Sequence, residues 1–196
     1  MNTDVDKKTT NSTKPLKITD AFITDAKIPG KRSNRAGFVQ IPNLLLYCHA
    51  DIGLNPQTFT ALTYLISHNF GGDGLSFPSV QNSLAPDLGK DRTTVDKWMN
   101  SLQSIDVAKA MREQAKRLFK LSNEPDFEVH RYTQRIDALE KAAKRIEKEK
   151  IKGLITKVLP KNKNTPKRGR ANRYNFDKLI FVLSVLAEEF NKKSKL

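Results

Sequence analysis

A set of side chains that form directional hydrogen bonds lies within one short stretch of this 196-residue chain. The stretch reads PDLGKDRTTVDKWMNSL, and the side chains are Arg92, Thr93, Thr94, Lys97 and Asn100. A guanidinium donates parallel hydrogen bonds, and an amide both donates and accepts, as recognition of nucleic-acid base edges requires. These residue types therefore indicate a surface that recognises a partner by hydrogen bonding and not a catalytic site.

Residues suited to catalysis or metal binding do not form a pattern in this sequence. The histidines His49, His68 and His130 lie far apart, and Cys48 beside His49 lacks the second close pair that a zinc site needs. Most carboxylates are distributed among Lys and Arg, as on solvated helix faces with local pairing. We therefore expect neither an enzyme nor a bound cofactor.

The charge of the chain is strongly one-sided, with 35 basic residues against 21 acidic ones and a net charge of +14. Such an excess indicates a polyanionic partner, either nucleic acid or an anionic membrane surface, although it also serves solubility. The sequence contains no apolar run of about 18 residues and no secretory apolar core near its N-terminus. The single Cys48 excludes a disulfide within one chain and fits a reducing interior, and we expect a cytoplasmic protein without membrane contact.

The stretch from Ser76 to Leu102, FPSVQNSLAPDLGKDRTTVDKWMNSL from Phe77 onward, reads as two helices joined by a turn. The first helix should start near Ser79, whose hydroxyl can cap backbone amides, and Pro86 should end or kink it early. Gly89 makes the turn, and Asp91 caps the second helix. The apolar spacing of the second helix predicts that it buries Val95, Trp98, Met99 and Leu102.

The opposite face of this second helix is polar near its N-terminus. It carries Arg92, Thr93, Asp96, Lys97 and Asn100. A recognition helix presents this part of its surface to base edges in the major groove.

The flanking segments supply the other elements of a small domain. Alternation in FVQIP predicts a strand from Phe38, and helices are expected from Pro42 and from Pro56 to His68, the latter capped by Asn55. A short strand is expected from Leu75 to Phe77. IKGLITKVLP and NRYNF read as paired strands, followed by a helix from Asp177 to Phe190.

The segment between the paired strands is basic, with seven Lys or Arg residues and no acid from Lys157 to Arg173. A hairpin with such a tip could reach phosphates or the minor groove of a neighbouring duplex, or it could be an ordinary exposed loop. The same two readings, a nucleic-acid contact or a solvated linker, apply to KIPGKRSNRAG at residues 27–37, which carries Lys31, Arg32 and Arg35.

Residues 105–150 are predicted to form two antiparallel helices that project from the domain, each about 30 Å long. The break falls at SNEPD, and the second arm has a coiled-coil seam of Val129, Tyr132, Ile136, Leu139, Ala143 and Ile146. The first arm is expected to continue the helix that begins after Asp91. Mixed charge disfavours a clamp on nucleic acid, which leaves self-association, docking of another protein, or an inert spacer.

Three blocks of sequence together carry a resemblance to a known family. They are GFVQIPNLLL at residues 37–46, the stretch from Phe77 to Leu102, and IKGLITKV with RGRANRYNFDKL at residues 151–158 and 168–179. The chain resembles the winged helix-turn-helix superfamily, of the type found in plasmid and phage replication initiators and small bacterial regulators. That resemblance implies a prokaryotic, nucleoid- or plasmid-associated protein with a mainly α fold and a small β-wing. The helical hairpin, a coiled coil, departs from the family, because it inserts about fifty residues between recognition helix and wing.

The expected organisation has four parts. Residues 1–36 form a flexible basic arm, residues 37–104 a helix-turn-helix core, residues 105–150 the inserted hairpin, and residues 151–196 the β-wing and the C-terminal helix. The apolar faces of the second arm and of the C-terminal helix present more apolar surface than a small domain should cover, so we expect a homodimer. The residues expected at the dimer interface are Tyr132, Ile136, Leu139, Ile146, Leu183 and Leu186.

The function that these features favour is sequence-specific binding of double-stranded DNA by a homodimer, as a transcriptional regulator or as an origin- or centromere-binding protein of a plasmid, phage or mobile element. The residues expected to contact DNA are Lys31, Arg32, Arg35, Ser79, Gln81, Arg92, Thr93, Thr94, Lys97, Asn100, Lys163, Lys167, Arg168, Arg170 and Arg173. The alternative is an interaction adaptor that uses the winged domain and the hairpin to bind another protein.

Overall fold

The structure is a computed structural model that describes residues 41–68, 75–76, 83–122, 129–158 and 173–191. These residues are mainly helical. In chain order the elements are α1 (Asn43–Cys48), α2 (Pro56–Ser67), β1 (Leu75–Ser76), α3 (Ala85–Asp87), α4 (Arg92–Ser104), α5 (Val107–Ser122), α6 (Val129–Lys148), β2 (Thr156–Val158), β3 (Arg173–Asn175) and α7 (Asp177–Asn191). The predicted strand at Phe38 and the predicted arm lie outside the described residues.

Helix α2 begins as its sequence predicts. The Asn55 side chain accepts a hydrogen bond from the Thr58 backbone N–H at 2.8 Å, and the Thr58 hydroxyl accepts one from the Asn55 N–H at 3.0 Å. This reciprocal pair satisfies amides that the first turn of a helix leaves without partners, and Pro56 needs none. The buried side of α2 packs against α4.

The turn between α3 and α4 also matches the prediction. Gly89 has φ +60°, a left-handed conformation that glycine adopts without strain, and Asp91 caps α4. Pro86 lies inside α3, which continues to Asp87 after a wider π-type turn at residues 83–84, so the helix does not stop at the proline. The Tyr64 hydroxyl of α2 donates to Asp87 and holds α3 against α2.

Helices α4 and α5 are separate, whereas the sequence predicted one continuous helix. Ile105 has an extended backbone, with ψ 132°, and ends α4. Asp106 then accepts a hydrogen bond from the Lys109 N–H at 3.0 Å and so caps α5. The apolar period continues through this break, which explains why the period alone concealed it.

The strands form one antiparallel sheet with the order β1-β3-β2. Lys157 of β2 lies opposite Tyr174 of β3, and Ser76 of β1 lies opposite Tyr174 on the other side. The predicted pairing of IKGLITKVLP with NRYNF is therefore confirmed. The central strand carries Tyr174, whose side chain is buried.

The two arms of the hairpin, α5 and α6, do not project from the domain. Helix α6 packs against α5 on one side and against α7 on the other, and the buried apolar residues of all three belong to one continuous core. Arg145 of α6 reinforces this contact by donating to Glu188 and Glu189 of α7, both at 2.8 Å.

This packing overturns the premise on which dimerisation was predicted. The side chains of Leu139, Ile146, Leu183 and Leu186 are at most 1 % exposed, and Tyr132 and Ile136 are half-buried against the same core. The apolar face of α6 and the apolar face of α7 cover each other within one chain, so these four leucine and isoleucine side chains offer no surface to a second copy.

Candidate nucleic-acid interface

Helix α4 begins with a cap that Asp91 forms with Thr94. Asp91 accepts hydrogen bonds from the Thr94 backbone N–H at 2.9 Å and from the Thr94 hydroxyl at 2.6 Å. These bonds lower the pKa of the Asp91 carboxyl, so it remains ionised near the positive end of the helix dipole. Thr94 is half-buried and its hydroxyl donates to the cap, which makes it a poor candidate for the base contact that the sequence suggested.

The outer face of α4 is otherwise as predicted. Arg92, Thr93, Lys97 and Asn100 are exposed, while Val95, Met99 and Leu102 are buried. Trp98 was expected in the core but is only half-buried at its edge. Thr93, Lys97 and Asn100 recur at spacings of four and three and so share one side of the helix, and Arg92 flanks them in the first turn.

An acidic residue lies among these polar groups. The Asp96 carboxylate is 3.4 Å from the Arg92 Nε, and the two residues are one helical turn apart. The sequence placed Asp96 on the outer face without giving it a role. The four-residue spacing between an Arg and an Asp on a predicted helix was the signal that could have found this pair.

Arg173, the only other candidate contact among the described residues, is exposed at the start of β3, opposite Val158 of β2. It therefore stands where the chain returns from residues 159–172. The candidates Lys31, Arg32, Arg35, Ser79, Gln81, Lys163, Lys167, Arg168 and Arg170 lie outside the described residues, and their predicted contacts stay predictions.

The described residues offer little to other kinds of site. They include no group of three His, Cys, Asp or Glu side chains placed to hold a metal ion. Cys48 is buried, and burial raises the pKa of its thiol to about 12. Within the same residues, each helix is too short or too polar to cross a membrane.

Comparisons of the chain with protein-family models, with curated proteins and with solved structures found no match.

Proposed function

We propose that this chain is a sequence-specific double-stranded DNA-binding protein built on a winged helix-turn-helix, with α4 as its recognition helix. The observation that carries the proposal is the element order α2, β1, α3, α4, β2, β3 combined with the sheet order β1-β3-β2. In this arrangement α3, the Gly89 turn and α4 are the helix-turn-helix, β2 and β3 are the stem of the wing, and α5 and α6 are an insert between them.

The chemistry of α4 supports the same proposal. Its exposed side holds a guanidinium, an ammonium, a hydroxyl and an amide, which together match the donor and acceptor pattern of the major groove. The buried side fixes the helix to α2, so the outer side chains project from a rigid element. A net charge of +14 adds the non-specific attraction to phosphates that DNA-binding proteins use.

The basic segment from Lys157 to Arg173 is the proposed wing. In this segment the phosphate contacts are made mainly by Lys163, Lys167, Arg168 and Arg170. They fix the register of α4 on the duplex, while base readout stays with α4. Regulation of transcription and binding at an origin or centromere of a plasmid, phage or mobile element both use such a domain. Mapping the bound sites relative to promoters and origins separates these two roles.

The test measures binding to duplexes selected from a randomised library and to random duplex. Thr93→Ala and Asn100→Ala should each weaken binding to the selected site by about 1–3 kcal/mol and leave random binding nearly unchanged. Thr60→Ala is the matched control, because Thr60 is exposed on α2 and its hydroxyl bonds only to its own helix at the Pro56 carbonyl. Equal losses on selected and random duplex would show that another face of the protein reads the bases.

The wing is tested through the salt dependence of binding. Neutralising Lys163, Lys167, Arg168 and Arg170 together should reduce the slope of log K against log salt by up to about 0.9 per lost phosphate contact. An unchanged slope would remove the loop from the interface.

A second candidate function is docking of another protein, as an interaction adaptor or beside DNA binding. Tyr47 on α1 is 74 % exposed and Phe119 on α5 is 59 % exposed, although both are large and apolar. Leu46 and Leu121 are also exposed beside them in the sequence. An adaptor without DNA contact should show almost no binding to random duplex even at low salt, whereas a DNA-binding protein should bind it and lose affinity steeply as salt is added. This measurement separates the two functions.

A further inference from the structure

The ion pair between Arg92 and Asp96 is exposed on the outer face of α4. Nε of Arg92 lies 3.4 Å from a carboxylate oxygen of Asp96, and the side chains are 64 % and 47 % exposed. Exposed pairs of this kind add little to stability, and a cation in the first turn with the acid one turn later is the less favourable orientation in a helix dipole. The stability of α4 therefore does not account for the arrangement.

The carboxylate is also out of place on a surface that binds a polyanion. A negative charge among Arg92, Lys97 and Asn100 is repelled by every phosphate, whatever the base sequence. It lowers affinity uniformly unless it lies opposite a hydrogen-bond donor on a base edge. In the major groove the amine donors are the N4 group of cytosine and the N6 group of adenine.

We propose that Arg92 and Asp96 act as one unit that reads a G·C base pair, an inference that rests on the proposed function of α4. Arg92 donates to O6 and N7 of guanine, and Asp96 accepts from N4 of cytosine while it orients the guanidinium through Nε. An ionised carboxylate has about four acceptor positions on two oxygens, so it can serve both partners at once. Asp96 is thus a specificity-determining residue.

This unit also explains how wrong base pairs are rejected. Thymine presents an O4 acceptor in the position where cytosine presents its amine, and that oxygen repels the carboxylate. Adenine has only one acceptor where guanine has two, so the paired hydrogen bonds of the guanidinium are lost. Asp96 therefore lowers binding to incorrect sequences more than to the correct one.

The experiment compares Asp96→Asn with wild-type protein on a selected duplex and on every single-base-pair variant of it. The variant should lose about 5- to 150-fold of its preference for G·C at one position, and it should bind random duplex as well as or better than wild type because a negative charge is gone. Arg92→Lys keeps the positive charge but not the paired donors, and it should lose preference at the same position.

Glu113→Gln is the matched control. Lys109 and Glu113 form an exposed pair with the same spacing and the same order, 3.9 Å apart, but on α5 and not on the proposed recognition helix. Its removal should leave the base preference unchanged, and thermal melting of all three variants checks that they fold.

Two results would overturn the inference. If Asp96→Asn weakens selected and random duplexes in parallel, or matches Glu113→Gln at every position, Asp96 does not determine specificity while the proposed function stands. If wild-type protein shows no salt-dependent binding to duplex at all, the proposed function and this inference fall together.

Discussion

Asp51, in the turn between α1 and α2, forms an ion pair with Arg135 of α6, with 2.6 Å between Oδ2 and Nη2. The Asp51 side chain is fully buried, and Arg135 is 36 % exposed at its side chain. The same Nη2 donates to the Tyr47 carbonyl at 3.2 Å. Within the described residues, Oδ1 of Asp51 and Nε of Arg135 have no hydrogen-bond partner. This pair joins the beginning of the described chain to the inserted hairpin.

The two partners should respond differently to substitution. Arg135→Met leaves the Asp51 carboxylate buried without a counter-charge and should reduce the free energy of unfolding by about 3 kcal/mol. Asp51→Asn leaves an arginine that can turn toward solvent, so its cost should stay below about 1 kcal/mol. Urea unfolding measures both. Arg112→Met is the control, because Arg112 pairs with Glu147 on the exposed side of the hairpin, where solvent screens the pair, and it should cost much less than Arg135→Met. Equal costs for Arg135→Met and Arg112→Met would contradict the role assigned to burial.

The same carboxyl should give the fold a distinctive pH dependence. Burial raises the pKa of Asp51 above its ordinary 3.8, and Arg135 lowers it in part, with smaller effects from Cys48 and His49. The native state therefore keeps the Asp51 proton at pH values where the unfolded chain has lost it. The resulting stability is fully present below the ordinary pKa and is lost as the pH rises through the native pKa.

Asp51→Asn should remove this contribution, so the difference in unfolding free energy between variant and wild type should change across the window above pH 3.8. Using the difference cancels other carboxylates, such as Asp91 and Glu147, whose lowered pKa values act in the opposite direction. Arg135→Met should extend the window upward, since it removes the group that lowers the Asp51 pKa. A pH-independent difference would show that Asp51 titrates alike in both states.

Two glycines with positive φ should tolerate alanine very differently. Gly153 has φ +73°, and a Cβ there would lie 2.2 Å from the Gln103 carbonyl oxygen, whereas a Cβ at Gly89, with φ +60°, would meet nothing within 4 Å. Gly89→Ala should cost only the backbone strain of about 1 kcal/mol. Gly153→Ala should cost clearly more, because the backbone at Gln103 must move as well. Thermal unfolding of the two variants tests this, and similar costs would mean that the segment after α6 moves away easily.

The apolar seam of the hairpin should behave as the core of one chain. Leu139→Ala and Leu183→Ala each open a cavity among fully buried side chains and should cost about 2–5 kcal/mol. The loss should be the same at all protein concentrations, because both faces belong to one molecule. Phe119→Ala is the contrasting variant, since its side chain is 59 % exposed and should cost little. If the loss of stability becomes smaller as the protein concentration rises, Leu139 and Leu183 lie in a dimer interface and not in the core of one chain.

Features that depend on interactions between residues a few positions apart were predicted correctly from the sequence. Asn55 before Pro56 and Asp91 before Arg92 predicted two helix starts, because a side-chain oxygen can satisfy free amides only from that position. Alternation predicted β2 and β3 and their pairing. The bond between the Thr94 hydroxyl and Asp91 could not be predicted in this way, because a helical wheel gives the direction of a side chain but not its competing partners.

Contacts between residues that are distant in sequence could not be predicted from the sequence. Periodicity shows that Leu139 and Leu183 lie on apolar faces, but it does not say that these faces cover each other. The break after Ser104 was invisible for a related reason, since Ile105 keeps its place in the apolar period. Asp51 and Arg135 are 84 positions apart, and no local pattern links them.

The chain returns to the end of α4 about fifty residues after it leaves that helix at Ile105. There the Gly153 N–H donates to the Ile105 carbonyl at 2.8 Å and the Leu154 N–H to the Leu102 carbonyl at 2.7 Å. A disordered loop of that length would make this closure entropically costly and slow. The helices α5 and α6 are neighbours in sequence, and their packing brings both ends of the insert together. We therefore expect the hairpin to lower the entropic cost of this closure during folding. The pairing of β1 with β3 spans the insert, so we expect it to follow formation of the hairpin, whereas β2 and β3 are close in sequence and can pair without it.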